Sequence, residues 1–91
     1  MSTTGFRYTV QTPEGAVAQG ECDFVVVPTT RGEMGVLADH ASAIASVAPG
    51  ELRVVHSGNE TRFHISSGLV EVLDNVVRLF VGEAGTSGLG G

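Results

Sequence analysis

The stretch LRVVHSGNETRFHIS, residues 52–66, alternates apolar and polar residues on both sides of a short polar break. Leu52, Val54 and His56 fall on one face of an extended chain, with Arg53 and Val55 on the other. After Ser57-Gly58-Asn59, Thr61, Phe63 and Ile65 share one face, and Arg62, His64 and Ser66 share the opposite one. A period of two is the mark of a half-buried strand. The Ser-Gly-Asn break between two such runs predicts a β-hairpin. Residues 52–66 therefore point to an antiparallel β fold.

The same grammar extends in both directions. Phe6, Tyr8 and Val10 alternate with Arg7, Thr9 and Gln11, and Thr12-Pro13-Glu14-Gly15 reads as a turn. A short stretch, Ala16-Val17-Ala18, leads to Gly20. Residues 22–28 (CDFVVVP) predict a strand closed by Pro28, because proline cannot donate to a ladder. Thr29 to Gly35 reads as a tight exposed loop with two glycines, and Ala38-Asp39-His40-Ala41 as a second loop. Between them Val36-Leu37 is apolar. Residues 41–48 (ASAIASVA) have some helical propensity, but Pro49-Gly50 turns the chain at once. A strand centred on Ile44 to Val47 is predicted instead. Gly68 is expected to break the strand ending at Ser66. Leu69 to Leu73 and Val76 to Val81 then form two more strands around an Asp74-Asn75 turn. The Gly-rich residues 85–91 read as a flexible tail following a domain spanning 1–84. Eight to ten short strands and no helix of ten residues or more predict two packed antiparallel sheets.

The chain has 91 residues, room for one small domain. Hydrophobic residues make up 42% of it and charged residues only 16%, against about 25% in an average soluble domain. That balance fits a well-filled core and a surface partly covered by a partner, or a small domain with short polar turns. The net charge is −5, with no lysine and no basic run, which argues against nucleic-acid binding. Cys22, the only cysteine, permits no internal disulfide and reads as an inert buried thiol. No apolar run approaches the roughly 20 residues of a membrane span. Residues 1–9 hold no apolar run of the kind a signal peptide needs. A soluble domain that can sit beside a membrane as part of a complex is expected.

Reactive constellations are not legible. Ser66-Ser67-Gly68 lies near His64 but not in the strand–turn–helix setting of a nucleophile elbow. His40, His56 and His64 show no paired ligand spacing. His56 and His64 flank one hairpin and are placed to face one another across it, yet two ligands do not make a zinc site. Gly32 and Gly35 are not a phosphate loop, which requires a lysine. No catalytic residue, cofactor site or metal site is assigned. A small apolar-rich β domain without chemistry is expected to be a binding module. Its working parts would be the loops 29–35 and 38–41 and an apolar sheet face.

Residues 31–40, RGEMGVLADH, carry a family resemblance. The stretch resembles the G-E-x-G-[IV]-x-P-G-H-A segment of the epsilon subunits of bacterial and chloroplast F-type ATP synthases, called delta in mitochondria. Gly32, Glu33, Gly35, Val36, His40 and Ala41 match, while the family's Pro-Gly reads Ala38-Asp39 here. Order and spacing agree elsewhere: Tyr8 to Glu14, Val27-Pro28, Ala48-Pro49-Gly50-Glu51-Leu52, Ser66 to Val72 for the family's S-G-G-x-x-E-V, and Asn75-Val76-Val77. Together these cover residues 6–84.

The resemblance implies a ten-stranded β-sandwich that catalyses nothing. It implies a rotor-stalk subunit linking the gamma subunit to the ring of c subunits, coupling proton flow to ATP synthesis. Carried over, Arg31, Gly32, Glu33, Met34 and Gly35 would contact the c ring, with Glu33 pairing with basic ring-loop side chains. His40 would lie at the gamma contact. The family's C-terminal helical hairpin has no counterpart in a sequence ending at Gly91. Inhibition by those helices and nucleotide binding are therefore not carried over. The expected location is peripheral, on the cytoplasmic face of the bacterial cell membrane, without insertion. Composition fits equally a β-sandwich interaction module of another assembly, and only the family pattern separates the two.

Overall fold

The computed structural model describes residues 5–86. Among the described residues there are ten strands: β1 (Phe6–Thr12), β2 (Gly15–Cys22), β3 (Phe24–Thr29), β4 (Gly32–Leu37), β5 (Ala43–Val47), β6 (Gly50–His56), β7 (Asn59–Ile65), β8 (Gly68–Leu73), β9 (Val76–Val81) and β10 (Ala84–Thr86). They form two five-stranded layers. One runs β10-β7-β6-β3-β4 and the other β5-β8-β9-β1-β2. At one corner the layers join through the Thr29–Val47 pair, where Thr30 N donates to the Ser46 carbonyl at 3.0 Å and Ala48 N to the Pro28 carbonyl at 3.0 Å.

The hairpin predicted from residues 52–66 forms as β6–β7, with His56 opposite Asn59 and Leu52 opposite Phe63. Its turn is Ser57-Gly58, both with positive φ, and the β8–β9 turn, Asp74-Asn75, repeats that geometry. Two-residue turns of this hand match the twist of the strands they join. Alternation fills the interior. Val25, Val27, Leu52, Val54, Phe63 and Ile65 point inward from one layer, and Val10, Val47, Val70, Val72, Val77 and Leu79 from the other. Among the described residues no polar or charged side chain is buried.

The β-sandwich of ten strands is as expected, but its sheets are not wholly antiparallel. β1 lies parallel to β9, with Arg7 opposite Val76 and Gln11 opposite Phe80. A hairpin forces antiparallel pairing, whereas strands far apart in sequence carry no such constraint. Pro28 does not close β3 but sits inside it. The β6 ladder ends at Val26, and the Pro28 carbonyl accepts from Ala48, so the missing N–H interrupts nothing. Gly32 to Gly35, expected in a loop, belong to β4. The turn itself is Thr30-Arg31, and Gly32, with φ near +112°, supplies the backbone that ends it. β2 spans the whole of Gly15–Cys22. Its register slips where Gln11 meets Ala16 after Val10 meets Ala18, which leaves Val17 as the extra residue of a bulge. Gly68 starts β8 rather than ending β7. Gly85 and Thr86, placed in the tail by the sequence, pair with His64 and Phe63 as part of β10. The rest of that tail, 87–91, lies outside the described residues.

Candidate functional site

The residues expected to contact a ring lie along one hairpin. Thr29 Oγ1 donates to the Gly32 carbonyl and accepts from Arg31 N at 3.1 Å, which fixes the β3–β4 turn. Arg31, Gly32 and Glu33 are exposed, as is Gly35, while Met34 packs inward against the core. Glu33 does not stand free. Its carboxylate accepts from the Arg53 guanidinium at 3.3 Å on the outer face of β6. Gly35 serves a contact rather than a turn: a Cβ there would lie 3.3 Å from the Phe24 ring.

His40 is not part of that cluster. From Gly32 to Leu37 the chain travels the length of β4, about 17 Å at 3.4 Å per residue, so Arg31 and His40 mark opposite ends of the sandwich. The Arg31 end also gathers Pro13-Glu14, Pro49, Ser66-Ser67 and Glu83. An open hollow of about 680 Å³ lies there between β2 and β10, with Glu14, His64, Ser66 and Glu83 on its walls. The His40 end gathers the Ser57-Gly58 and Asp74-Asn75 turns. His40 N donates to the Leu37 carbonyl at 3.2 Å, and its Nδ1 lies 2.6 Å from the Ala41 carbonyl.

A third surface was foreseen only as an unspecified apolar sheet face. The outward positions of β5, β8 and β9 carry Ile44, Leu69, Leu73 and Phe80, which are 72%, 50%, 41% and 43% exposed. Leu69 faces Phe80 directly across the ladder, and Leu73 faces Val76. One ion pair, Arg78 to Glu71 at 3.7 Å, crosses the middle of the patch beside Ile44. Toward β1 the face turns polar with Thr9 and Gln11. The sequence signal was present in the large apolar residues at alternate positions to the buried Val70, Val72, Val77 and Leu79. Alternation alone does not say which face of a strand a second layer covers.

The groups capable of chemistry stay apart. His56 pairs with Asn59 and His64 with Glu51, so the two histidines do not face each other as the sequence suggested. His56 Nδ1 lies 3.7 Å from Asp23 Oδ1, and Asp23 Oδ2 accepts from Ser57 N at 2.8 Å. Ser66 Oγ accepts from Glu83 N at 2.8 Å, the part of a turn former. Among the described residues no three His, Cys, Asp or Glu side chains are placed to hold a metal ion. The Cys22 thiol is fully buried and lies 3.6 Å from the Phe6 carbonyl. Burial, aided by Asp23 and opposed by Arg7, pushes its pKa up to about 12. The protonated form is thus favoured in the folded state. This contribution to stability is complete below pH 9.0, the ordinary value, and fades as the pH rises toward about 12. At pH 8 an aromatic disulfide reagent should leave Cys22 unmodified until denaturant unfolds the chain. Rapid labelling of the native domain would show the thiol to be open.

Residues 5–86 match the family described as the delta/epsilon chain of ATP synthase, beta-sandwich domain. The chain is similar to the ATP synthase epsilon chain of Desulfitobacterium hafniense, with 39% identity over 79 residues covering 87% of this chain and 60% of that one. Its structure superposes on a chain of the Euglena gracilis mitochondrial ATP synthase with a TM-score of 0.86 and 29% identity, over 94% of this chain and 56% of the other. A chain of the Tetrahymena thermophila mitochondrial ATP synthase shares the fold, with a TM-score of 0.72 at 19% identity over 87% of this chain and 64% of its own. The chain spans about 60% of the length of the curated relatives it matches.

Proposed function

The chain belongs to the ATP synthase delta/epsilon family, as its β-sandwich domain, and on that premise we propose that it is a non-catalytic coupling element of the central stalk. In this reading it links the gamma subunit to the c ring, peripheral to the membrane on the cytoplasmic face, and passes rotation driven by proton flow to ATP synthesis. The observation that carries the reading is the apolar face of β5, β8 and β9. A domain this small that leaves Ile44, Leu69, Leu73 and Phe80 open is built to be covered, since contiguous exposed apolar patches mark interaction surfaces. Gamma is the partner we assign to that face, with His40 at its rim. The opposite end, with Arg31, Gly32, Glu33, Met34 and Gly35 along β3–β4, is assigned to the c ring. Neither role asks the domain for a cofactor or a nucleotide.

The two surfaces make separable demands. Calorimetry with the gamma subunit of the same synthase should give one-to-one binding. Titration onto synthase depleted of this subunit, in membrane vesicles, should restore proton-coupled ATP synthesis. No gamma binding at micromolar concentrations would overturn the reading.

Glu33→Arg tests the ring-facing end. The substitution sets two arginines side by side at Glu33 and Arg53, but exposed ion pairs contribute only about 0–1 kcal/mol, so the fold should survive. Coupled synthesis should fall about tenfold, the effect of losing ~1.4 kcal/mol at a charged rim contact. Gamma binding should be unchanged. Undiminished coupling would remove Glu33 from the ring contact.

A further inference from the structure

Among the described residues four other than glycine have positive φ: Asp39, Ser57, Asp74 and Asn75. Three of them lie in two-residue hairpin turns, where the turn type demands that conformation. Asp39, with φ near 63°, is instead the third residue of the Leu37–His40 turn, which His40 N closes on the Leu37 carbonyl at 3.2 Å. It sits in the link between β4 and β5, and its backbone is held by a partner distant in sequence. Asp39 N donates to Asn75 Oδ1 at 2.6 Å, and Asn75 Nδ2 donates back to Asp39 Oδ1 at 3.2 Å. The Asn75 carbonyl meanwhile accepts from Arg7 N at 3.1 Å. One residue thus ties the β4–β5 link, the β8–β9 turn and the start of β1 together.

Asp and Asn are the side chains that best tolerate the left-handed region. Tolerance alone does not keep a residue there: the Leu37–His40 turn places Asp39, and the reciprocal pair with Asn75 ties that turn to the β8–β9 turn. Both residues are exposed, and water could satisfy the same groups if the link opened. Their pairing therefore matters little to the buried core. What it sets is the path of residues 38–42. That path carries His40 and delivers the chain to Ala43 and Ile44 at the edge of the apolar face.

We propose that Asn75 is a positioning residue for the partner interface: it clamps Asp39 and so preshapes the 38–42 link against which gamma docks. The inference rests on the assignment of gamma to this face. A link fixed before contact avoids the ordering cost that a mobile one meets on association, and that saving shows as tighter binding.

The test uses Asn75→Gly, which keeps the backbone conformation and removes the side chain. Its companions are Asp39→Gly and the double variant. Three quantities are measured: amide exchange of residues 38–42 in the free chain, thermal midpoint, and gamma affinity by calorimetry. Asn75→Gly should speed exchange of the link about tenfold and raise the Kd for gamma about tenfold, the middle of the range for coupled groups. The thermal midpoint should hardly move. Asp39→Gly should do the same. The double variant should be no worse than either single one, because both remove one shared clamp. A Kd unchanged within twofold in Asn75→Gly, while wild type binds normally, overturns the proposal. Single effects that multiply in the double variant also overturn it, since the two residues would then act independently. Failure of the wild-type chain to bind gamma overturns the assignment of the face itself, a result distinguishable from the first two.

Discussion

Replacing Gly68 with alanine should lower the thermal midpoint of this domain by more than 10 °C. A Cβ built on Gly68 would run into the Phe80 carbonyl oxygen and lie 2.8 Å from the Val81 Cα and 2.9 Å from the Phe80 carbonyl carbon. All three are backbone atoms of β9, the strand paired with β8 at this point, with Gly68 opposite Val81. Backbone in a ladder cannot rotate away as a side chain can, so β8 and β9 would have to separate or slide. Overpacking of this kind costs typically 1–3 kcal/mol, and the backbone contact puts this case at about 3 kcal/mol. For a domain of this size each kcal/mol moves the midpoint by about 4–8 °C. Gly35→Ala is the comparison. There the added carbon meets the Phe24 ring at 3.3 Å, and the ring can tilt aside, so a loss of only about 1 kcal/mol is expected. Calorimetric melts of the two variants decide the matter. A shift under about 3 °C for Gly68→Ala would mean that β8 and β9 accommodate the methyl group and that the approach is looser than described.

The second large effect concerns association. Ile44→Asp should raise the Kd for gamma about 30-fold or more, the size of a hot-spot loss of about 2 kcal/mol. Ile44 is exposed in the free domain, so the substitution removes little from the core. It places a carboxylate opposite Glu71, on the face we assign to gamma. Leu69→Asp should behave alike. Val17→Asp is the control. Val17 is also an exposed apolar residue, but it lies on the β2 bulge away from Ile44 and Leu69, and its replacement should leave gamma affinity within twofold. Equal losses in all three variants would indicate a general charge effect. No loss in Ile44→Asp would move the interface to another face.

How much of this was readable in advance depended on whether the signal was local. The β6–β7 hairpin was legible because alternation, β-branched residues and a Ser-Gly turn agree within fifteen residues (52–66). β5 was legible because Pro49-Gly50 leaves no room for a helix. β2 is hard to see at full length in sequence because its bulge at Val17 breaks the alternation and its small residues resemble a turn. β4 reads as a loop in sequence because Gly32 and Gly35 dilute an alternation that Met34 and Val36 keep. The family motif holds Arg31 to Gly35 and His40 as neighbours in sequence, but nothing in it says that β4 carries them to opposite ends of the sandwich. The parallel β1–β9 pair and the Asp39–Asn75 clamp join residues remote in sequence, and no local pattern announces such partners. The apolar patch that we assign to gamma is visible only once the layers show which side of β5, β8 and β9 stays uncovered.

The parallel pairing of β1 with β9 bears on how the polypeptide is made. Arg7 finds its partner in Val76, so β1 waits for a strand made some seventy residues later. Until then the β1–β2 hairpin has no neighbour on its inner edge, and isolated two-stranded hairpins are marginal in water. Structure in this layer should therefore consolidate only once β9 has been made. Non-local pairing of this kind places folding in the millisecond-to-second regime of all-β domains. Nascent chains halted before β9 would leave the β1–β2 hairpin unpaired along that edge, open to chaperones and to neighbouring strands.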